Sequence, residues 1–206
     1  MSQPSVSLHK GDLPSGLDFG DSVAIDTETL GLVPRRDRLC VVQLSRGDGS
    51  AHVVQIAPGQ KQAPNLVKLL ADPKITKLFH FARFDIAVLY SAFGTMAAPL
   101  YCTKIASKLV RTYTDRHGLK DLVRELLGID LSKQQQSSDW AAETLSEAQI
   151  TYAASDVLHL HALRDKLDVM LMREGRSDFA AACFAFLPTR AKLDLSGWEA
   201  DIFSHE

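Results

Sequence analysis

The stretch Ser22-Val-Ala-Ile-Asp-Thr-Glu28 decides how the chain is read. Val23, Ala24 and Ile25 make a short apolar run, which reads as a buried strand. Acidic residues are depleted in strands, yet Asp26 and Glu28 close this one. A spacing of two puts both carboxylates on the same face of a strand. Like charges that close repel unless a cation lies between them, and hard divalent cations take oxygen ligands. A plainer account is equally open at this point: a strand that runs out into a turn, with Asp26 as a cap.

Outward from that strand, residues 39–45 (LCVVQLS) and 51–56 (AHVVQI) are β-branched runs separated by RGDGS at 46–50, which is hairpin chemistry. Residues 65–70 predict a short helix ended by Asp72-Pro73, residues 75–80 a fourth strand, and residues 83–93 a helix closed by Gly94. After an extended piece near 100–103, helical signals run to about residue 174, one of them opened by a capping box, Thr144-Leu-Ser-Glu147. There is no repeat, low-complexity tract or linker. The order predicts an α/β fold, a mixed sheet with helical cover.

The chain has 206 residues, 46% hydrophobic and 23% charged, enough apolar material for one core and too little length for two full domains. Cys40, Cys102 and Cys183 are widely spaced with no CxxC, so neither a disulfide framework nor a thiolate zinc site is supported. The opening MSQPSVSLHKGDLPSG lacks an apolar signal segment. The longest apolar run, 179–187, stops at Pro188 and is too short to span a bilayer. The expectation is a soluble, cytoplasmic protein with no membrane partner. The net charge of −2 excludes affinity for nucleic acid through a large basic excess. It conceals a balance of +3 from Lys104 to Lys133 and of −6 from Asp139 to the end.

Two more places carry acidic side chains where chemistry could use them. Asp85 lies early in the helix predicted over 83–93, and Tyr152 and Asp156, in TYAASDV, stand one turn apart on one helix face. Singly they have ordinary explanations: an acid at a positive helix N-terminus, a packing tyrosine, a surface aspartate. As a set, four carboxylates can converge on two divalent ions about 3.5–4 Å apart, which bind the attacking and leaving oxygens of a phosphodiester. Tyr152 adds a hydroxyl beside the attacking water.

On Asp26-Thr27-Glu28, on Asp85 in HFARFD, and on Tyr152-x-x-x-Asp156, the sequence resembles the DEDD family of 3′-to-5′ exonucleases in its tyrosine subgroup. Phe79-His80, Gly118-Leu-Lys-Asp-Leu122 and Ser138-Asp139-Trp140 resemble ribonuclease D, over roughly residues 20–170. Ribonuclease D proper carries further helical domains, and this chain ends about 50 residues after Asp156, so it is most similar to the small one-domain nanoRNase C group. His80-x-x-x-x-Asp85 also has the spacing of the histidine subgroup's last motif. That parse needs a second carboxylate from Asp37, Asp48 or Asp72 and leaves Tyr152 and Asp156 without a role, so the tyrosine assignment is preferred.

The resemblance implies a ribonuclease H-like mixed β-sheet flanked by α-helices, forming a single 3′-5′ exonuclease domain over residues 1–206. Its catalytic core would cover about 20–170, with 175–206 as an oligomerisation segment of a homo-oligomer, octameric in that group. The implied reaction is two-metal hydrolysis, with Mg²⁺ or Mn²⁺, of short single-stranded RNA, dinucleotides included, to 5′-mononucleotides; DNA is the second candidate partner. Asp26, Glu28, Asp85 and Asp156 would hold metal, and Tyr152 would join them in catalysis. Thr27, Leu30 (an apolar wedge), His80, Phe81 (base stacking), Gln136 and Ser138 (phosphate or sugar) would contact substrate. Asp139 reads as a turn cap, and His159 and His161 point apart, giving no metal site. Three rival readings are a general 3′-5′ exonuclease on longer RNA or DNA, ribonuclease D-like trimming of RNA 3′ ends, and a catalytically silent nucleic-acid-binding relative.

Overall fold

The computed structural model describes residues 4–132, 134–135, 137–198 and 200–205. The elements run β1 (Ser5–Lys10), β2 (Ser22–Thr29), β3 (Leu39–Ser45), β4 (Ser50–Gln55), α1 (Pro64–Ala71), β5 (Thr76–Phe79), α2 (Ala82–Phe93), β6 (Leu100–Cys102), α3 (Thr103–Val110), α4 (Leu119–Leu127), α5 (Glu147–Leu158), α6 (Leu160–Arg173) and α7 (Ser177–Leu195). The strands form one mixed sheet in the order β1-β4-β3-β2-β5-β6. β2–β3 and β3–β4 are antiparallel, while β1 beside β4 and β5 beside both β2 and β6 are parallel. The fold is the α/β mixed sheet with helical cover that the order of elements predicts.

The period-two alternation of β2 divides the core. Val23 and Ile25 pack with Leu66 and Leu70 of α1 and Ile86 and Leu89 of α2. Ala24, from the other face, packs with Val157, Leu160 and Leu163 of α5 and α6. At the end of the strand the same alternation sends Asp26 and Glu28 toward the α5 side and Thr27 toward the α2 side. β5 is anchored by buried Lys77, whose Nζ donates to the carbonyls of Asp72 (2.5 Å) and Ala98 (2.6 Å). Burial pushes Lys77 down to about 8. The hairpin turn sits tight on α6: Gly47 has φ +83°, and a Cβ there would come within 2.7 Å of the His161 ring.

Three local features differ from the sequence expectation. The opening segment contributes β1, a half-exposed strand whose polar Ser5, Ser7 and His9 alternate with Val6 and Leu8. The capping box of α5 is Ser146–Gln149 rather than Thr144–Glu147: Ser146 Oγ accepts from the Gln149 N–H, and Gln149 Oε1 accepts from the Ser146 N–H. Both pairs fit the capping pattern, but Gln149 also reaches the Asp139 carbonyl (3.0 Å), a contact invisible in local sequence. Helix also continues beyond the predicted end near 174: α7 runs from Ser177 through Pro188 to Leu195. Leu187 and Ala191 are buried in the core beside α2, and Arg83 of α2 forms a bidentate bond with Asp194 (2.7 and 2.6 Å). Among the described residues no helix is long and apolar enough to cross a membrane.

Candidate active site

β2 and β5 run parallel, and α2 begins at the C-terminal end of β5, so its first turn stands beside the end of β2. That end of a parallel pair is where open α/β sheets present ligands. Asp26 and Glu28 project from β2, Asp85 from the first turn of α2, and Tyr152 and Asp156 from α5, which packs across β2, β3 and β4. Carboxylate oxygens of Asp26, Glu28 and Asp156 lie within 4.8 Å of one another. Asp85 stands outside this triplet, 3% exposed, and accepts a 2.7 Å hydrogen bond from Thr27 Oγ1. Thr27, from the α2 face of the strand, thereby ties the second layer of the fold to the residues between which it sits.

These acids are held where a proton is hard to lose. Burial first, then the charges of Asp85, Asp156 and Glu28, raises Asp26 well above its ordinary range. Burial and the Asp156 and Asp85 charges push Glu28 up to about 8. Burial pushes Asp85 and Asp156 up to about 7 each, opposed in Asp85 by the Thr27 hydroxyl and in Asp156 by Tyr152. Burial and the surrounding carboxylates also raise the Tyr152 phenol above its usual value near 10, so it stays protonated and bonds to Asp156 as a neutral hydroxyl. None of the four carboxylates has an ion pair with Lys or Arg among the described residues. Clustered oxygen ligands without a protein cation fit a hard divalent ion, whereas zinc favours nitrogen or sulfur.

A cavity of about 300 Å³ opens over this cluster, lined by Asp26, Thr27, Glu28, His80, Tyr152 and Asp156 together with Lys104, Gly118, Lys120 and Ser132. His80 is fixed through a 2.9 Å bond between Nδ1 and Thr103 Oγ1, and its buried Nε2 makes no hydrogen bond. Burial, then the Lys104 charge, pushes His80 down to about 3, so it offers the cavity a neutral ring. Trp140 is buried behind Tyr152, ring centroids 6.0 Å apart, and limits how far the phenol can swing.

Leu30, Phe81 and Ser138 are not among the described residues lining this cavity. Leu30 is 56% exposed just past β2. Phe81, at the N-cap of α2, is 45% exposed and, among the described residues, is the one non-glycine residue with positive φ, +79°. An aromatic residue held there stores backbone strain of about 1–3 kcal/mol. Ser138 donates to Gln135 Oε1 (2.5 Å), and Gln136 lies outside the described residues. Asp139 caps a turn, accepting from the Ala141 N–H (3.0 Å). Sequence reasoning missed Gln43, fully buried opposite Asp26 on β3, whose Nε2 donates to Asp26 Oδ2 (3.4 Å). A glutamine inside the run LCVVQLS was the available signal. Lys104 and Lys120, within the segment of +3 balance, were not singled out by the sequence and line the cavity.

A family model described as 3′-5′ exonuclease matches residues 12–172. Ribonuclease D of Gluconacetobacter diazotrophicus is 42% identical over 165 residues, covering 80% of this chain and 42% of that protein. The chain thus spans less than half the length of the curated relatives it matches. Brucella melitensis NrnC with bound Mg²⁺ superposes with a TM-score of 0.95 at 63% identity, covering 98% of this chain and 100% of that one. The same protein bound to pGG gives 0.96 at 64% identity over 98% and 100%.

Proposed function

We propose, from the premise that this chain belongs to the 3′-5′ exonuclease family and to its ribonuclease D-like members, that it hydrolyses short oligoribonucleotides from the 3′ end. Substrates include dinucleotides, and the products are 5′-mononucleotides. The observation that carries this reading is the half-buried triplet Asp26, Glu28 and Asp156, within 4.8 Å of one another and flanked by Asp85 and Tyr152. The NrnC structures with Mg²⁺ and with pGG support the metal and the short substrate.

Asp26, Glu28, Asp85 and Asp156 would hold two divalent ions, Mg²⁺ or Mn²⁺. When bound, such ions lower the pKa of water and offset charge on the phosphodiester. The chain's own groups do the rest. Tyr152, held by Asp156, orients the attacking water by a hydrogen bond. Thr27 fixes the Asp85 carboxylate and Gln43 the Asp26 carboxylate, so both are aimed before substrate arrives. Lys104 and Lys120 put positive charge in the cavity for the phosphate, and neutral His80 contributes part of its wall. Leu30 and Phe81 would offer exposed apolar surfaces to the terminal bases, with Gln136 and Ser138 as further contacts. Hydrolysis breaks the bond from phosphorus to the 3′-oxygen of the penultimate nucleotide and leaves the phosphate on the released nucleotide's 5′-oxygen.

The whole chain acts as one domain, with 175–206 joining copies into a homo-oligomer in the cytoplasm; the exposed Phe179, Trp198 and Phe203 of that segment support this. Turnover of a dinucleotide, a seven-nucleotide RNA and a duplex DNA tests the substrate reading. The two RNAs should be cleaved faster than the duplex, and equal rates on all three would remove it.

A further inference from the structure

At the C-terminal end of α3 the Arg111 side chain is fully buried, and the reaction as described does not use it. A buried cation is costly unless acceptors meet its donors, and here all three side-chain nitrogens are engaged. Nε donates to Glu125 Oε1 (3.2 Å) and Nη2 to Glu125 Oε2. Nη1 donates to the Arg116 carbonyl (2.7 Å) and to Ser107 Oγ (3.0 Å). Ser107, also buried, extends the network through a 2.8 Å bond between its Oγ and His117 Nδ1. One planar fork thus joins the end of α3, the connection that follows it, and α4.

The fork holds one wall of the carboxylate cavity. Lys120 lies in the chain between the anchor points Arg116–His117 and Glu125, and it lines that cavity beside Gly118. Leu122 and Val123 of α4 pack in the same core as Ala106 and Val110 of α3. Apolar packing is non-directional, so it sets how deeply α4 sits and not how its first turn is aimed. The paired bonds to one carboxylate and the bond to the Arg116 carbonyl are directional, and they fix that aim. Lys120 makes no ion pair among the described residues, so the backbone that carries it decides where its charge is offered. A lysine at 111 would keep the charge and lose the fork, because one ammonium cannot reproduce its planar geometry.

We propose that Arg111 is a positioning residue for substrate binding: it aims the first turn of α4 so that Lys120 meets a substrate phosphate. Arg111 itself lies outside the cavity lining and acts only through the chain it holds. This rests on the exonuclease reading above.

The test is a double-mutant cycle of Arg111→Lys with Lys120→Ala, reading kcat and KM on an RNA dinucleotide with Mg²⁺ and recording Tm for each protein. Ser107→Ala, which removes the bonds to Arg111 Nη1 and His117, runs through the same cycle and carries the test if Arg111→Lys fails to fold. Arg111→Lys should raise KM about tenfold with kcat within about twofold, and Ser107→Ala should raise KM about threefold. In the Lys120→Ala background each should change KM by less than about twofold, because the contact that they aim is already gone. Equal increases in KM in both backgrounds overturn the proposal. So does a KM unchanged by either variant, including one accompanied by a lower Tm, which is the mark of a purely structural role. If wild type cleaves no RNA, the exonuclease reading fails. The same coupling is then read as Kd by anisotropy of the labelled dinucleotide in Mg²⁺, and a wild type that does not bind it either overturns both.

Discussion

Raising the pH from 6.5 to 8 in the presence of a chelator should destabilise this protein, and the reason lies in Glu28. Its carboxyl ordinarily ionises near 4.5 and in the folded site is pushed up to about 8. Across the window between those values the unfolded chain has released the proton and the native state still binds it. Native binds more protons than unfolded, so stability falls as pH rises until the folded value is passed. One retained proton corresponds to about 1.36 kcal/mol per pH unit, so the change over this window is about 1.5 kcal/mol. For a chain of this length that lowers Tm by about 3–6 °C. Asp85 and Asp156, at about 7, act in the same direction. Below pH 6.5 the depressed histidines, His80 at about 3 among them, contribute with opposite sign, and above 8 Lys77 does the same. The window is therefore chosen between them. Divalent ions need ionised carboxylates, and a ligand at 100-fold its Kd stabilises by about 2.7 kcal/mol, so Mg²⁺ should protect more at pH 8 than at 6.5. Thermal unfolding by circular dichroism, in EDTA and in Mg²⁺, on wild type and Glu28→Gln, reads all of this. A Tm in EDTA that stays flat from 6.5 to 8, or a Glu28→Gln protein with the same slope as wild type, refutes the reasoning.

Other consequences follow from single contacts. Thr27→Val removes the bond to buried Asp85 and should cost about 1–3 kcal/mol in urea unfolding and weaken Mg²⁺ binding by calorimetry, whereas Thr27→Ser should restore both. Ser146→Ala removes the cap of the helix carrying Tyr152 and Asp156 and should cost about 0.5–2 kcal/mol by the same unfolding assay. Tyr152→Phe should lower kcat about 10²-fold with KM little changed in steady-state kinetics on a dinucleotide.

How much of this was legible in the sequence depends on the range of the interaction. Asp26 and Glu28 announced themselves because strand periodicity is local: an apolar run ending in two acids of one parity can be read without a structure. Tyr152 and Asp156 share a helix face by the same kind of argument. That α2 and α5 approach β2 from opposite faces, bringing Asp85 to one side of the strand and Asp156 to the other, is tertiary and left no local trace. Gln43 shows the intermediate case, a polar residue in an apolar strand whose purpose is set by its cross-strand neighbour Asp26. β1 escaped because an edge strand buries little and needs few apolar residues. The capping box shifted by two residues because two overlapping pairs satisfied one pattern, and a contact to distant Asp139 selects between them.

The most direct test of the account is the product formed from an RNA dinucleotide by wild type and by Asp85→Ala, each with Mg²⁺ and with EDTA, identified by mass. Wild type with Mg²⁺ should give 5′-mononucleotides, and the other three samples should retain intact dinucleotide. An Asp85→Ala protein as active as wild type, or products bearing a 3′-phosphate, would contradict it.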